Sequence, residues 1–146
     1  MQVEAVFLLL AAVAGATMAV QGAWNSALGK VVGLAQATLI VHLVGSLGAA
    51  LLLLFPLSAG SFARLPQAPW YTLGGGFLGV LIIYLVVASI PRLGVALATT
   101  AIVAGQVGVA MLIDHFGLFG LERIPFSWLK LVGLALLAAG ARLMLN

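Results

Sequence analysis

The 146-residue chain is 64% hydrophobic and 6% charged, with a mean hydropathy of +1.29. A soluble domain carries about 25% charged residues, so this composition cannot cover a water-facing surface and reads as an integral membrane protein embedded in a lipid bilayer. The absence of cysteine excludes disulfides, thiolate metal sites and a cysteine nucleophile, and the net charge of +3 rests on six basic residues, no two adjacent, which excludes a nucleic-acid patch.

The first apolar run covers about Val3 to Trp24. It lacks a basic leader and carries Glu4, so it reads as a span and not as a cleaved signal peptide. Two stripes run along it at helical spacing. Ala12, Gly15, Ala19, Gly22 and Ser26 line one face with small side chains, and Thr17, Gln21 and Asn25 form a polar face. Small residues let membrane helices approach closely, and amides and hydroxyls bond across helices. A helix with both stripes sits at the centre of a bundle and turns a polar edge toward something, so the chain is organised around this stretch.

Four further runs of near-spanning length follow: Ala35 to Leu57, Trp70 to Ile90, Leu93 to Ile113 and Trp128 to Leu145. Only His42 interrupts the apolar and small residues of the second, and the third and fourth carry no charge at all. Backbone in hydrocarbon must satisfy its own hydrogen bonds, so all five are expected to be helices. Alternating strands of a porin-like barrel are not seen. The fold class is therefore an all-α membrane protein, one domain of five transmembrane helices. The expected breaks are Asn25 to Gly33, Ser58 to Pro69 with Pro56 just before it, the short turn Pro91-Arg92, and Asp114 to Phe126. Trp70, Tyr71 and Trp128 fall at helix ends, the depth that amphipathic rings favour. Gly45 and Ala49, Gly75 and Gly79, and Gly105 and Gly108 beside Gln106 read as close-packing positions. No internal repeat is evident.

Charge does not fix the orientation. With five spans, Arg64, Arg123 and Lys130 fall on one side and Lys30, Arg92 and Arg142 on the other, three against three. Positive residues normally hold their loops in the cytoplasm. A tie suits a chain that inserts both ways, and two oppositely oriented copies would form an antiparallel dimer with the geometry of an inverted repeat.

Polar residues inside spans are costly and mark candidate sites. His42, with Thr38 and Ser46 at spacing four, is either a pathway or proton-sensitive group or a neutral ring bonded to its neighbours. Gln106 shares a face with Thr99, seven residues earlier, and can either bind a polar solute or join two helices. Gln21 and Asn25 extend the stripe from Thr17 toward a cavity edge, or cap a helix end. Asp114 and His115 close the fourth helix and read as membrane-end residues. No carboxylate lies at the middle of any span, which argues against a deep acid as an exchange site for cations. Neither a catalytic constellation nor a metal-ligand cluster is found, and no cofactor is expected; the run GGGFLG lacks the lysine and strand context of a phosphate loop.

The segments QGAWNSALGK (21–30), WYTLGGGFLGV (70–80), PRLG (91–94) and AGQVGVAMLIDHFGLFG (104–120) resemble the YdcZ-like inner-membrane proteins, a five-helix branch of the drug/metabolite transporter superfamily. The likeness covers nearly the whole chain, and the segment 104–120 is its most specific part. It implies a multi-pass protein of the bacterial inner membrane that pairs antiparallel, as a homodimer or with an oppositely oriented homologue. It also implies movement of small organic solutes by alternating access. The matched polar positions are Gln21, Asn25, Gln106, Asp114 and His115. The glutamate within helix one of the small multidrug resistance relatives is missing, since Ala14 to Met18 occupy the middle of this helix. Two other classes stay open, a non-transporting membrane partner or assembly subunit and a dimeric ion channel.

Overall fold

Amides in hydrocarbon have no water to bond, and the chain meets that demand with helices alone. The computed structural model describes residues 2–55 and 60–144, and among these there is no strand. The α-helices are α1 (Gln2–Val32), α2 (Leu34–Leu52), α3 (Gly75–Leu93), α4 (Val95–Phe116) and α5 (Trp128–Leu143). Short 3-10 turns cover Phe62–Gln67, Trp70–Gly74 and Leu118–Gly120. Four stretches among the described residues are long and apolar enough to cross a membrane: Ala5–Val32, Leu34–Leu52, Trp70–Leu93 and Val95–Phe116. The fifth helix has 16 described residues, shorter than the roughly 20 that a span needs.

The helix ends differ from the sequence expectation in informative ways. The first helix does not stop near Trp24; α1 runs 31 residues to Val32, about 46 Å at 1.5 Å per residue. Asn25 and Ser26 stay helical because they are buried among helices, at 6% and 2% exposure, and not at a wet end. The expected turn at Pro91-Arg92 is also absent. Both residues belong to the last turn of α3, where the proline only withholds the i+4 donor from the Val87 carbonyl. The second helix ends at Leu52, and the fourth begins at Val95 and runs on to Phe116. The expected end of the second helix at Leu57, the break residues Pro56 and Ser58, and the end of the fifth helix at Leu145 lie outside the described residues.

Two of the joints are single glycines. Gly33 links α1 to α2 with φ 95° and ψ 160°, and Gly94 links α3 to α4 with φ 77° and ψ 163°. Only glycine takes this backbone freely. Each joint's carbonyl accepts the first bond of the next helix, from Ala37 at 3.0 Å and from Ala98 at 3.2 Å.

These matched joints expose a repeat that inspection of the sequence missed. Gly33-Leu-Ala-Gln-Ala-Thr38 and Gly94-Val-Ala-Leu-Ala-Thr99 share glycine, two alanines and threonine, 61 positions apart (33 to 94). Burial follows the same register. Ala37 and Ala98 are 0% and 2% exposed, and buried Ser26 corresponds to buried Val87. The helix–glycine–helix unit occurs twice.

The chain divides into two compact units, Met1–Arg92 and Leu93–Asn146. In the first, α1 presents small groups where α3 presents large ones. A β-carbon on Gly22 would lie 3.2 Å from Ile90 Cδ1 and 3.3 Å from Val86 Cγ1, and one on Gly29 would collide with Val87 Cγ1. The Ala37 methyl of α2 lies 3.8 Å from that same Gly29 position. Gly22, Asn25, Ser26, Ala37, Thr38, Val87 and Ile90 are buried at this junction. The expected small stripe therefore packs at Gly22 and Ser26 and extends to Gly29, whereas Gly15 has open space beside it. Most large apolar side chains of the helices remain exposed, as suits surfaces solvated by lipid tails that are as apolar as leucine.

In the second unit, α4 packs against α5. The Thr100 hydroxyl donates to the Ala96 carbonyl at 2.9 Å and lies 3.1 Å from Met144 Sδ just past α5.

Candidate functional site

His42 is the ninth of the 19 residues of α2 and so lies at its midpoint. Its Nδ1 is 2.8 Å from the Thr38 carbonyl. A carbonyl can only accept, so Nδ1 carries the ring proton and, in the neutral ring, Nε2 carries a free lone pair. That Nε2 points at α3, where a β-carbon on Gly79 would stand 3.4 Å away. Glycine at this position gives the imidazole edge its room.

Around Nε2 lies a groove of about 450 Å³, lined by Gln21 of α1, by His42 and Ser46 of α2, and by Gly79, Ile82 and Ile83 of α3. The fold thus brings together Gln21 and His42, two polar residues from separate apolar helices. Ser46 is one turn beyond His42 on the same face, and the rest of the lining is aliphatic or glycine. Among the described residues no acid or base other than His42 lines the groove. Its chemistry is an apolar trough with an amide, a hydroxyl and one imidazole lone pair.

Thr17 and Gln21 also line a second groove of about 600 Å³ along α1, with Val13, Val20 and Trp24. Gln21 is therefore common to both grooves. The Thr17 hydroxyl donates to the Val13 carbonyl at 2.9 Å, so only its acceptor capacity is free for a solute. Thr38, adjacent in register to His42, spends its donor likewise on Leu34 at 2.9 Å.

The remaining candidate positions sit elsewhere. Asn25 is buried at the α1 junction, and its Nδ2 has no hydrogen-bond partner among the described residues. Thr99 is half-buried and Gln106 exposed, both on α4 of the second unit.

Asp114 and His115 organise the turn that follows α4. Gly117 caps the helix in the left-handed conformation, and the Ile124 amide donates to the Asp114 carbonyl at 2.9 Å. Arg123 Nε donates to the His115 carbonyl at 2.9 Å, and the Phe126 amide donates to His115 Nδ1 at 3.1 Å. The His115 ring packs edge-on to Phe116 and Phe126, with centroids 4.9 and 5.9 Å away. The segment is folded back over the helix end. Sequence reasoning placed these two residues at a membrane end but not in this clasp, whose partners lie 8 and 11 positions downstream of His115.

Among the described residues no group of acidic or histidine side chains could hold a metal ion.

Residues 6–143 match the sequence model of a family described as "Putative inner membrane exporter, YdcZ". No curated protein and no solved structure matches the chain.

Proposed function

Since the chain belongs to the YdcZ inner-membrane exporter family, we propose that it is half of a transporter for small organic solutes, completed by an oppositely oriented copy or homologue. The observation that carries this reading is the shared groove of Gln21 and His42, an apolar trough with polar groups near the midpoint of a membrane helix. Transporters built from inverted halves hold solute near the midplane, where the halves meet. A single copy offers only an open trough, and pairing would close it. The fifth helix, at 16 residues, would supply a shorter fifth span. Thr99 and Gln106, on α4 of the second unit, are further polar candidates for solute contact, and the glycine-rich faces would permit rocking between outward and inward states.

The distribution of basic residues supports dual insertion. Lys30, Arg92 and Arg142 each lie in the last turn of an odd-numbered helix. Arg64, Arg123 and Lys130 lie in the intervening connections or at the start of α5. Alternating spans would put three on each side, leaving the positive-inside bias without a direction.

Two experiments test the proposal. Cytoplasm-active and periplasm-active reporters fused separately after Asn146 should both give signal; signal from only one would mean a fixed orientation and would turn the search to a second chain. Metabolite profiling of the growth medium should show at least one small organic solute that rises with expression of the wild type. That rise should vanish with His42→Leu or Gln106→Leu at equal membrane abundance. If wild type and both variants leave the medium alike, the exporter reading fails.

A further inference from the structure

We infer that Gly79 of α3 is the specificity-determining residue of the groove: it serves a ligand and not the packing, leaving the His42 Nε2 lone pair within reach of a solute that donates a hydrogen bond. The inference rests on the transport reading of the groove and adds to it a solute class and the residue that sets it.

Three glycines of the first unit show the contrast. A β-carbon on Gly22 would press on Ile90 and Val86 at 3.2 and 3.3 Å, and one on Gly29 would collide with Val87. Side chains of α3 fill the space in front of both, so packing requires glycine at each. A β-carbon on Gly79 would meet a single atom within 4 Å among the described residues, His42 Nε2 at 3.4 Å. That is an ordinary van der Waals distance, so the helices could pack with alanine there. Nor does the backbone require glycine. Gly79 lies inside α3 without a positive φ, and at such a position alanine is the better helix former.

A methyl at this position would cover the imidazole nitrogen. A donor has to come within about 2.7–3.2 Å of its acceptor, and a carbon 3.4 Å from Nε2 stands in that approach. The ring has no second nitrogen to offer, because Nδ1–H is committed to the Thr38 carbonyl at 2.8 Å. The neutral ring therefore shows the groove one acceptor and no donor. Glycine at position 79 is the difference between an open acceptor and a covered one.

The rest of the lining sets the rest of the solute. Gly45, Ser46 and Ala49 of α2 are small and leave width for a ring, while Ile82 and Ile83 of α3 give it an apolar wall. None of these carries a charge, so an ion would lose its hydration without gaining a partner. The class that fits is an uncharged, largely apolar molecule with one O–H or N–H donor. 4-Ethylphenol is a minimal probe, and its methyl ether 4-ethylanisole has nearly the same shape without the donor.

The test measures binding of both probes to the full chain in lipid nanodiscs, with empty nanodiscs as the partition blank. It is run at about pH 8, where phenols and imidazoles are ordinarily neutral. The wild type should bind 4-ethylphenol about tenfold more tightly than 4-ethylanisole, the factor for one hydrogen bond. Gly79→Ala should melt no lower than the wild type and should bring that ratio to about one through loss of the phenol's advantage. Gly75→Ala adds a methyl at the start of the same helix, where it meets nothing within 4 Å, and should keep the tenfold ratio. A tenfold ratio retained by Gly79→Ala overturns the inference, and so does a wild type that binds the two probes equally or binds neither. A clear fall in the melting temperature of Gly79→Ala also overturns it, because the glycine would then serve packing. Each of these failures leaves solute export and dual insertion standing, because the medium profile and the reporters read those separately.

Discussion

Gly29 of α1 faces Val87 of α3 so closely that a β-carbon on the glycine would collide with Val87 Cγ1. Val87 is fully buried there, at 0% exposure. Between membrane helices there is little hydrophobic drive, so close packing has to supply the attraction. Gly29→Ala should therefore destabilise the fold by about 1–3 kcal/mol, the usual penalty for overpacking. Val87→Ala in the same chain should recover part of it, since the removed methyls vacate the space the new one needs. The readout is the folded fraction after heating in mild detergent, by gel filtration, for both single variants and the double. Additive losses would mean that the two residues do not meet.

Gly33 and Gly94 allow a second test. Both occupy backbone that L-residues avoid, and a side chain at Gly33 would in addition approach Gln36 Oε1 to 2.7 Å. A β-carbon at Gly94 meets nothing within 4 Å. Gly94→Ala thus isolates the conformational strain, on the order of 1–3 kcal/mol, and Gly33→Ala adds a clash with a side chain able to move. Thermal midpoints of both variants should fall, Gly33→Ala by at least as much as Gly94→Ala. An unchanged midpoint for Gly94→Ala would show that the joint tolerates other backbone conformations.

The same glycines show where sequence reading stopped. Helices, their apolar character and the two stripes of α1 were legible, because composition and a period of 3.6 carry them. The ends were not. Asn25 and Ser26 have the polarity of a helix exit, but polarity does not distinguish wet from buried, and here the residues are buried. Pro91 looks like a turn, but in the last turn of a helix it removes only one bond. The repeat around Gly33 and Gly94 rests on four identities among residue types common in this chain, and only the matched dihedral angles single it out. Gln21 and His42 were each visible as polar intrusions. Their meeting in one groove depends on how α1, α2 and α3 pack, which no local spacing encodes.

The clasp after α4 predicts a local effect without a global one. The Phe126 amide donates its hydrogen bond to His115 Nδ1, while the ring packs against Phe116 and Phe126. His115→Phe keeps an aromatic ring but offers no acceptor. Loss of one such bond is worth about 0.5–1.5 kcal/mol, enough to raise hydrogen exchange at the Phe126 amide several-fold. Exchange in the middle of α4 should not change. Equal exchange at Phe126 in both proteins would mean that the ring packing alone holds the segment.

Asn25 is the last case, and its expected sign is opposite. Its side chain is 6% exposed, and Nδ2 is buried without a hydrogen-bond partner among the described residues. A buried donor left unpaired costs about 1–3 kcal/mol, and an apolar group of the same size would not incur that cost. Asn25→Leu, close to isosteric, should be neutral or stabilising as read by the thermal midpoint in detergent. Gly22, Ser26 and Gly29 nearby leave little slack, so Asn25→Ala serves as the control that adds no bulk. A clear loss of stability in both variants would reverse the reading: the amide would then hold an acceptor from water, solute or a second copy, and the polar stripe of α1 would reach through the junction.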